Sequence, residues 1–136
     1  MNKIDDLEHE TGELCVAFLA ACAREGILLR VTQGLRTYPE QDAIFAQGRT
    51  QPGAIVTAAP AGYSWHNFGR AFDVCQQGHE PYPEAESFWE KIGKLGENLG
   101  LEWGGRWKHP DRPHFQHTAG ISLVQARAAH EERNLA

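Results

Sequence analysis

The segment 64–73 reads SWHNFGRAFD, and its composition decides how the middle of this chain folds. It contains an imidazole, His66, and a carboxylate, Asp73. On a straight helix these residues would lie about 10 Å apart along the axis, which is too far for both to bind one metal ion at about 2 Å. The chain must therefore turn between them, and Gly69 can supply that turn. The pattern predicts His66 on a loop and Asp73 on the strand that follows.

A second histidine with an unusual setting is His114, in the sequence Asp-Arg-Pro-His-Phe at 111–115. Two imidazoles and one carboxylate leave a fourth tetrahedral position open for water, which is typical of a catalytic rather than a structural zinc site. Zinc lowers the pKa of such a water toward about 7 and makes hydroxide available at neutral pH. His66, Asp73 and His114 are therefore potential ligands of one Zn²⁺ ion.

Two other side chains compete as ligands. His117 lies three residues after His114, and two rings at that spacing on a strand face opposite sides, so only one can point at the metal. Cys75 shares a strand face with Asp73, although a small packed thiol is the commoner role for such a residue. The chain has three cysteines and no CxxC pair, which fits reduced thiols better than a disulfide framework.

Helical and strand patterns alternate on both sides of the central segment. Helices are predicted at 5–25, from Tyr38 to just before Gly48, at 84–98 and at 122–133, and strands at 27–33, 70–75, 101–103 and 114–117. This order predicts an α+β fold with a small, mainly antiparallel sheet flanked by helices. The intervening stretch 48–64 is rich in Pro, Gly and small residues and predicts a long loop, a feature that is usually functional or mobile.

Composition narrows the classes of protein that remain. With 136 residues the chain is expected to form one domain, 1–136, which can bury a core without a metal or disulfide. The 13 Lys and Arg against 18 Asp and Glu give a net charge of -5, which argues against a nucleic-acid partner. The apolar stretch 14–23 is about half of what a membrane span requires, so no membrane insertion is expected. Acidic residues at 5, 6 and 8 do not fit a signal peptide.

The central segment matches the pattern SxHxxGxAxD, and in this respect the chain resembles the M15 zinc peptidases, which include D-Ala-D-Ala carboxypeptidases and dipeptidases. Three further stretches resemble the subgroup of L-alanyl-D-glutamate endopeptidases found as phage endolysins and bacterial wall hydrolases: GLRT at 34–37 with the residues at 41–50, WGGRW at 103–107, and DRPHF at 111–115. The resemblance covers roughly 31–115. It implies the D-Ala-D-Ala metallopeptidase (Hedgehog-like) fold.

The resemblance also implies that His66, Asp73 and His114 bind one zinc ion, and it implies roles for further residues. Asp111 would take a proton from the zinc-bound water and pass it to the leaving amine, and Arg36 would stabilise the developing oxyanion. Three residues are expected near the substrate or behind the ligands: Ser64, Trp103 and Trp107. For the two tryptophans a core position is an equally open interpretation. The subgroup usually has an acidic residue where this chain has Arg106.

The function implied is zinc-dependent hydrolysis of the peptidoglycan stem peptide by a catalytic domain acting as a monomer, at the bond between L-Ala and D-Glu. The alternatives are a D,D-carboxypeptidase or D-Ala-D-Ala dipeptidase, and a non-catalytic zinc-stabilised binding module. Synthesis in the cytoplasm without a signal peptide is expected, with release to the periplasm and cell wall through a holin-made lesion or by another export route.

Overall fold

The computed structural model describes residues 3–135. Its helices are α1 (His9–Arg24), α2 (Tyr38–Ala46), α3 (Glu86–Asn98) and α4 (Leu123–Leu135), and two short 3₁₀ helices, η1 (Trp65–Phe68) and η2 (Gly104–Arg106), lie between them. The strands are β1 (Leu29–Gln33), β2 (Ala71–Gln76), β3 (Glu102–Trp103) and β4 (His114–Gln116). They form an antiparallel sheet in the order β1-β2-β4-β3. The prediction of an α+β fold with a small antiparallel sheet is confirmed.

Three phenylalanines form the centre of the core between the sheet and the helices. Phe18 of α1 packs on Phe115 of β4 with ring centroids 4.5 Å apart, and Phe72 of β2 stacks on Phe115 at 5.9 Å. All three rings are fully buried, and each such burial contributes about 1.5–3 kcal/mol. The hydrophobic effect therefore holds one face of β2 and β4 against α1.

The opposite face of the same strands carries polar side chains. Because successive side chains of a strand point to opposite faces, packing Phe72 and Phe115 into the core turns Asp73 and His114 to the other side. The strand register places Phe72 opposite Phe115 and Asp73 opposite His114. Core packing and register together therefore bring a carboxylate and an imidazole side by side.

Trp103 belongs to the core, where it fastens the segment that precedes β4. Its indole ring lies in a slot between Gly93 of α3 and Gly105. A Cβ on Gly93 would lie 2.4 Å from the ring and a Cβ on Gly105 would lie 2.1 Å from it, so only glycine fits at either position. The indole nitrogen donates a hydrogen bond to the carbonyl of Arg112 at 2.8 Å. Of the two interpretations left open for Trp103, the structure therefore favours the core, since the residue is 4% exposed and packs inside the fold.

Predicted and observed element boundaries agree within two residues except at the start of α1, which begins at His9 instead of residue 5. Glu8 has an extended backbone, and its carboxylate accepts hydrogen bonds from the backbone N–H groups of Glu10 and Thr11. A side chain that accepts hydrogen bonds from the free N–H groups of the first turn caps the helix and sets the residue at which it begins. The carboxylate also lies 3.4 Å from Arg70, which ties the start of α1 to the segment before β2.

We expect Glu8→Ala to lower the free energy of unfolding by about 0.5–2 kcal/mol at pH 7, the usual effect of removing a helix N-cap. Burial raises the pKa of Glu8, but the hydrogen bonds from Glu10 and Thr11 outweigh it, so the pKa lies below its ordinary value of 4.5. A depressed pKa in the folded state means that the ionised group contributes stability above about pH 4.5, and that this contribution is lost as the pH falls through the folded-state pKa.

Urea unfolding of both proteins at several pH values measures this difference in stability. It should be largest near neutral pH and should shrink below pH 4.5, whereas Glu132→Ala, at an exposed site on α4, should show little effect at any pH. A difference that grows as the pH falls would contradict the assignment of Glu8 as the cap.

Among residues 3–135, none of the helices has both the length and the apolar character needed to cross a bilayer.

Candidate metal centre

Three side chains from separate elements converge at one end of the sheet. His66 comes from η1, Asp73 from β2 and His114 from β4. Asp73 Oδ1 lies 3.3 Å from His66 Nε2 and 3.1 Å from His114 Nδ1. The three ligand atoms all lie within 4.8 Å of one another. The structure thus brings together the imidazoles and the carboxylate that the sequence indicated as ligands.

Local hydrogen bonds place the His66 ring. Ser64 caps η1, because its hydroxyl accepts a hydrogen bond from the backbone N–H of His66. Gly69 ends η1 in the left-handed conformation, with φ of 68°, and returns the chain to β2 as its position in the sequence predicted. His66 itself lies on a helical turn instead of the predicted loop. The sharp reversal at Gly69 is what lets two residues so close in sequence face the same point.

The donor set fits a metal ion. His66 Nδ1 lies 2.9 Å from the carbonyl oxygen of Gly34, and His114 Nε2 lies 2.7 Å from Oε1 of Gln116. Each ring can therefore donate its outward N–H to an oxygen. The ring nitrogen that faces Asp73 donates to the carboxylate when the ring is protonated, and it offers a lone pair to a metal ion when the ring is neutral. Donors that share one zinc ion at about 2.0–2.1 Å in tetrahedral geometry are about 3.3 Å apart, and the two measured separations match.

The charges of these groups depend strongly on one another. Burial raises the pKa of Asp73, but hydrogen bonds from His114 and His66 outweigh it and hold the pKa well below its usual range. Burial lowers the pKa of His114, yet the hydrogen bond and negative charge of Asp73 produce a net increase. Asp73 is therefore a carboxylate at any pH near neutrality, which is the form that binds a cation.

Asp111 lies beside the cluster without joining it. Its carboxylate is 49% exposed, and Oδ2 lies 3.8 Å from His114 Nδ1. Partial desolvation in the cleft raises the pKa of Asp111, and the neighbouring charge of Asp73 adds to the increase. A carboxylate with a raised pKa, next to a metal site and open to solvent, is suited to accept and return a proton.

A close backbone contact holds Asp111 in place. Its N–H donates to the carbonyl of Gly104 at 2.9 Å, and a Cβ on Gly104 would lie 2.5 Å from the carbonyl oxygen of Asp111. The first glycine of the WGG sequence is therefore required by this approach of two backbones. The contact folds the segment 104–113 so that Asp111 and His114 end on the same side of it.

Arg36 faces the cluster from the segment that follows β1. Burial lowers the pKa of its guanidinium, and the charges of Asp73 and Asp111 oppose that effect, so the group lies within electrostatic reach of both carboxylates. Its Nη1 donates to Oε1 of Gln41 at 2.8 Å. A guanidinium held in this way can stabilise negative charge that develops on a bound substrate.

The converging groups line one side of a cleft of about 480 Å³, a volume typical of a small-molecule or peptide site. Ser64, Trp107 and several residues of the 48–64 loop line it too: Val56, Thr57, Ala59 and Tyr63. Trp107 packs against His114 with ring centroids 5.1 Å apart. The long loop therefore forms part of the cleft wall.

A larger groove, of about 640 Å³, lies behind η1 and includes Tyr38, Phe68 and His130. His130 stacks on Tyr38 at 4.4 Å, so this histidine packs against the fold rather than standing free in solvent. The groove does not contain the convergent ligand atoms of the smaller cleft. The chemistry is therefore assigned to the smaller cleft.

The competing candidates lie elsewhere. His117 Nε2 contacts Glu10 of α1 at 3.0 Å, on the side of the sheet away from the cluster. Cys75 is fully buried and lies opposite Arg30 in β1. Neither residue belongs to the metal-binding group found among residues 3–135.

Arg106, the residue that departs from the subgroup pattern, points to α3. It forms ion pairs with Glu97 at 3.0 Å and Glu90 at 2.8 Å, and its guanidinium lies 4.9 Å from the Trp103 ring. It is absent from the residues that line the cleft. Its role is to attach η2 to α3.

Several supporting residues escaped the sequence analysis. Gln41 is fully buried and both accepts from Arg36 and donates to the carbonyl of Ala59 at 2.7 Å, while Asn67 donates to the carbonyl of Arg36 at 2.9 Å. Gln116 contacts the outer nitrogen of His114. For Gln41 the available signal was its position in the stretch 41–50, which resembles the endopeptidase subgroup. That the side chain is buried can be seen only in the fold.

The sheet, cleft and donor set have the organisation of a catalytic metallopeptidase centre, and comparison with known proteins agrees. A family model described as D-alanyl-D-alanine carboxypeptidase matches residues 57–117. The peptidoglycan L-alanyl-D-glutamate endopeptidase CwlK of Bacillus subtilis (strain 168) is 38% identical over 111 residues, which cover 74% of this chain. The alignment spans 66% of CwlK, just under two thirds of its length.

Solved structures show the same fold. The L-Ala D-Glu endopeptidase ChiX of Serratia marcescens superposes with a TM-score of 0.62 at 22% identity, covering 85% of this chain and 84% of ChiX. The vancomycin resistance D,D-pentapeptidase VanY, in complex with Zn(II), superposes with a TM-score of 0.62 at 14% identity, covering 92% of this chain and 78% of VanY. These comparisons show that the chain is similar to the M15 peptidases in sequence and shares their fold.

Proposed function

We propose that this protein is a zinc-dependent peptidoglycan hydrolase that cleaves the stem peptide between L-Ala and D-Glu. The observation that carries the proposal is the His66–Asp73–His114 cluster with the Asp111 carboxylate beside it in an open cleft. The choice of bond is supported by the 38% identity to CwlK. Peptidoglycan as the substrate places the action in the periplasm or cell wall.

The division of labour follows from the positions of the groups. A zinc ion bound by the cluster would polarise the scissile carbonyl and lower the pKa of its bound water. Asp111 accepts a proton from the attacking water and returns it to the leaving amine. Arg36 stabilises negative charge on the carbonyl oxygen, and the indole of Trp107 shields one side of the site from solvent.

The charge of the cleft supports an endopeptidase over a carboxypeptidase. A carboxypeptidase must neutralise the free terminal carboxylate of its substrate. Among the described residues that line the cleft, Arg36 is the one arginine or lysine, and it already faces Asp73 and Asp111. An internal peptide bond makes no demand for a further cation.

Digestion of purified sacculi, followed by mass spectrometry of the released fragments, tests the proposal. We expect new fragments with a free amino terminus on D-Glu and a loss of turbidity that a chelator abolishes and added Zn²⁺ restores. Release of D-Ala would instead identify a D,D-carboxypeptidase. Zinc binding without any cleavage would identify a non-catalytic binding module.

A further inference from the structure

A polar chain leads away from the metal centre along the face of the sheet. His114 Nε2 lies 2.7 Å from Gln116 Oε1, and Gln116 Nε2 in turn donates a short hydrogen bond to the carboxylate of Glu102. His114 and Gln116 are alternate residues of β4, so they share a face, and Glu102 lies directly opposite Gln116 in β3. Gln116 is 5% exposed, whereas Glu102 lies at the surface.

The carboxylate of Glu102 fixes the direction of the hydrogen bonds that link Glu102, Gln116 and His114. An ionised carboxylate only accepts hydrogen bonds, so Glu102 must face the NH₂ group of Gln116. The amide oxygen of Gln116 is then turned to His114 and can only accept. His114 Nε2 must therefore carry a proton, so that in the neutral ring the lone pair is on Nδ1, the nitrogen that faces Asp73 and the metal position.

We propose that Glu102 and Gln116 are positioning residues that hold His114 in the tautomer required to bind the metal. Neither residue touches the metal position or the cleft's reacting atoms; both act through the ring of His114. The proposal rests on the metal centre of the proposed function, but it concerns metal affinity and not the bond that is cleaved. Partners behind a metal-binding histidine fix the ring orientation and raise its basicity.

The test is Glu102→Gln in the full chain. A glutamine at this position can both donate and accept, so Gln116 is free to turn its NH₂ group to His114 and favour the other tautomer. We expect zinc affinity, measured by competition with a chromogenic chelator, to fall by about 10–100-fold. The visible spectrum of the Co²⁺-substituted protein should weaken at matched metal concentration, while the melting temperature of the metal-free protein stays near that of the wild type.

The double variant E102Q/Q116E provides the rescue. It moves the carboxylate to position 116, where it accepts from both the His114 ring and the amide now at position 102, so that the polarity toward His114 is restored. We expect it to recover most of the affinity that E102Q loses. Glu132→Gln, at an exposed position of α4, is the matched control and should bind zinc as the wild type does.

Two results would overturn the proposed positioning of His114 by Glu102 and Gln116. One is that E102Q binds zinc as tightly as the wild type, and the other is that the double variant binds zinc no better than E102Q. A merely structural role would lower the melting temperature of metal-free E102Q and leave the rescue without effect on affinity, which also overturns it. If zinc affinity falls in E102Q as expected but the wild-type protein cleaves no sacculi, the proposed hydrolysis would be refuted and the positioning role of Glu102 and Gln116 would be supported.

Discussion

Hydrolysis of sacculi by the Asp111→Asn variant is expected to be about 10²–10⁴-fold slower than by the wild type, the usual contribution of a positioned general base. Asparagine has the shape of aspartate but cannot accept the proton of the attacking water. Because Asp111 Oδ2 lies 3.8 Å from His114 Nδ1 and outside the ligand cluster, zinc stoichiometry should stay near one. Turbidity loss and metal analysis on the same preparation measure both quantities.

Asp5→Asn is the control for the charge change, since Asp5 is an exposed residue before α1. It should leave both hydrolysis and zinc content unchanged. Full activity in Asp111→Asn would remove Asp111 from the mechanism. Loss of zinc together with activity would show instead that Asp111 holds the metal.

His114→Ala should abolish zinc binding, whereas His117→Ala should not. Removing His114 takes away one of three convergent ligands and leaves the carboxylate of Asp73 with a single imidazole partner. A ligand present at 100 times its dissociation constant stabilises a fold by about 2.7 kcal/mol. We therefore expect added zinc to raise the melting temperature of the wild type and of His117→Ala, but not that of His114→Ala.

The matched variant removes only a contact with Glu10 at the edge of the sheet. An ion pair of that kind contributes at most about 1 kcal/mol, so His117→Ala should keep its hydrolytic activity. Zinc-dependent stabilisation that persists in His114→Ala and disappears in His117→Ala would mean that the other ring is the ligand.

Much of the fold could be predicted because it depends on local patterns. The apolar spacing of α3 and the strand pattern of β2 can be seen in short windows of sequence, and their observed limits lie within two residues of the predicted ones. The start of α1 differs from the prediction because the side chain of Glu8 caps the helix there, whereas the hydrophobic pattern does not change at that point. Periodicity does not register a capping hydrogen bond.

The positions of Trp103 and Trp107 could not be predicted from the sequence. Trp103 and Trp107 are four residues apart in one motif and looked equally suited to a cleft wall or the core. Trp103 enters the slot between Gly93 and Gly105, while Trp107 lies against His114 in the cleft. The choice depends on the packing of α3 against η2, which no local pattern reports.

The kinds of groups available for chemistry, the turn at Gly69 and the α+β order of elements can all be read from local stretches of sequence. How those groups meet depends on contacts between distant parts of the chain. Asp73 lies opposite His114 because core packing of Phe72 and Phe115 sets the strand register, and Glu102 reaches His114 through Gln116 for the same reason. These contacts join residues far apart in the chain, and a register shift of one residue would turn each side chain to the other face of the sheet.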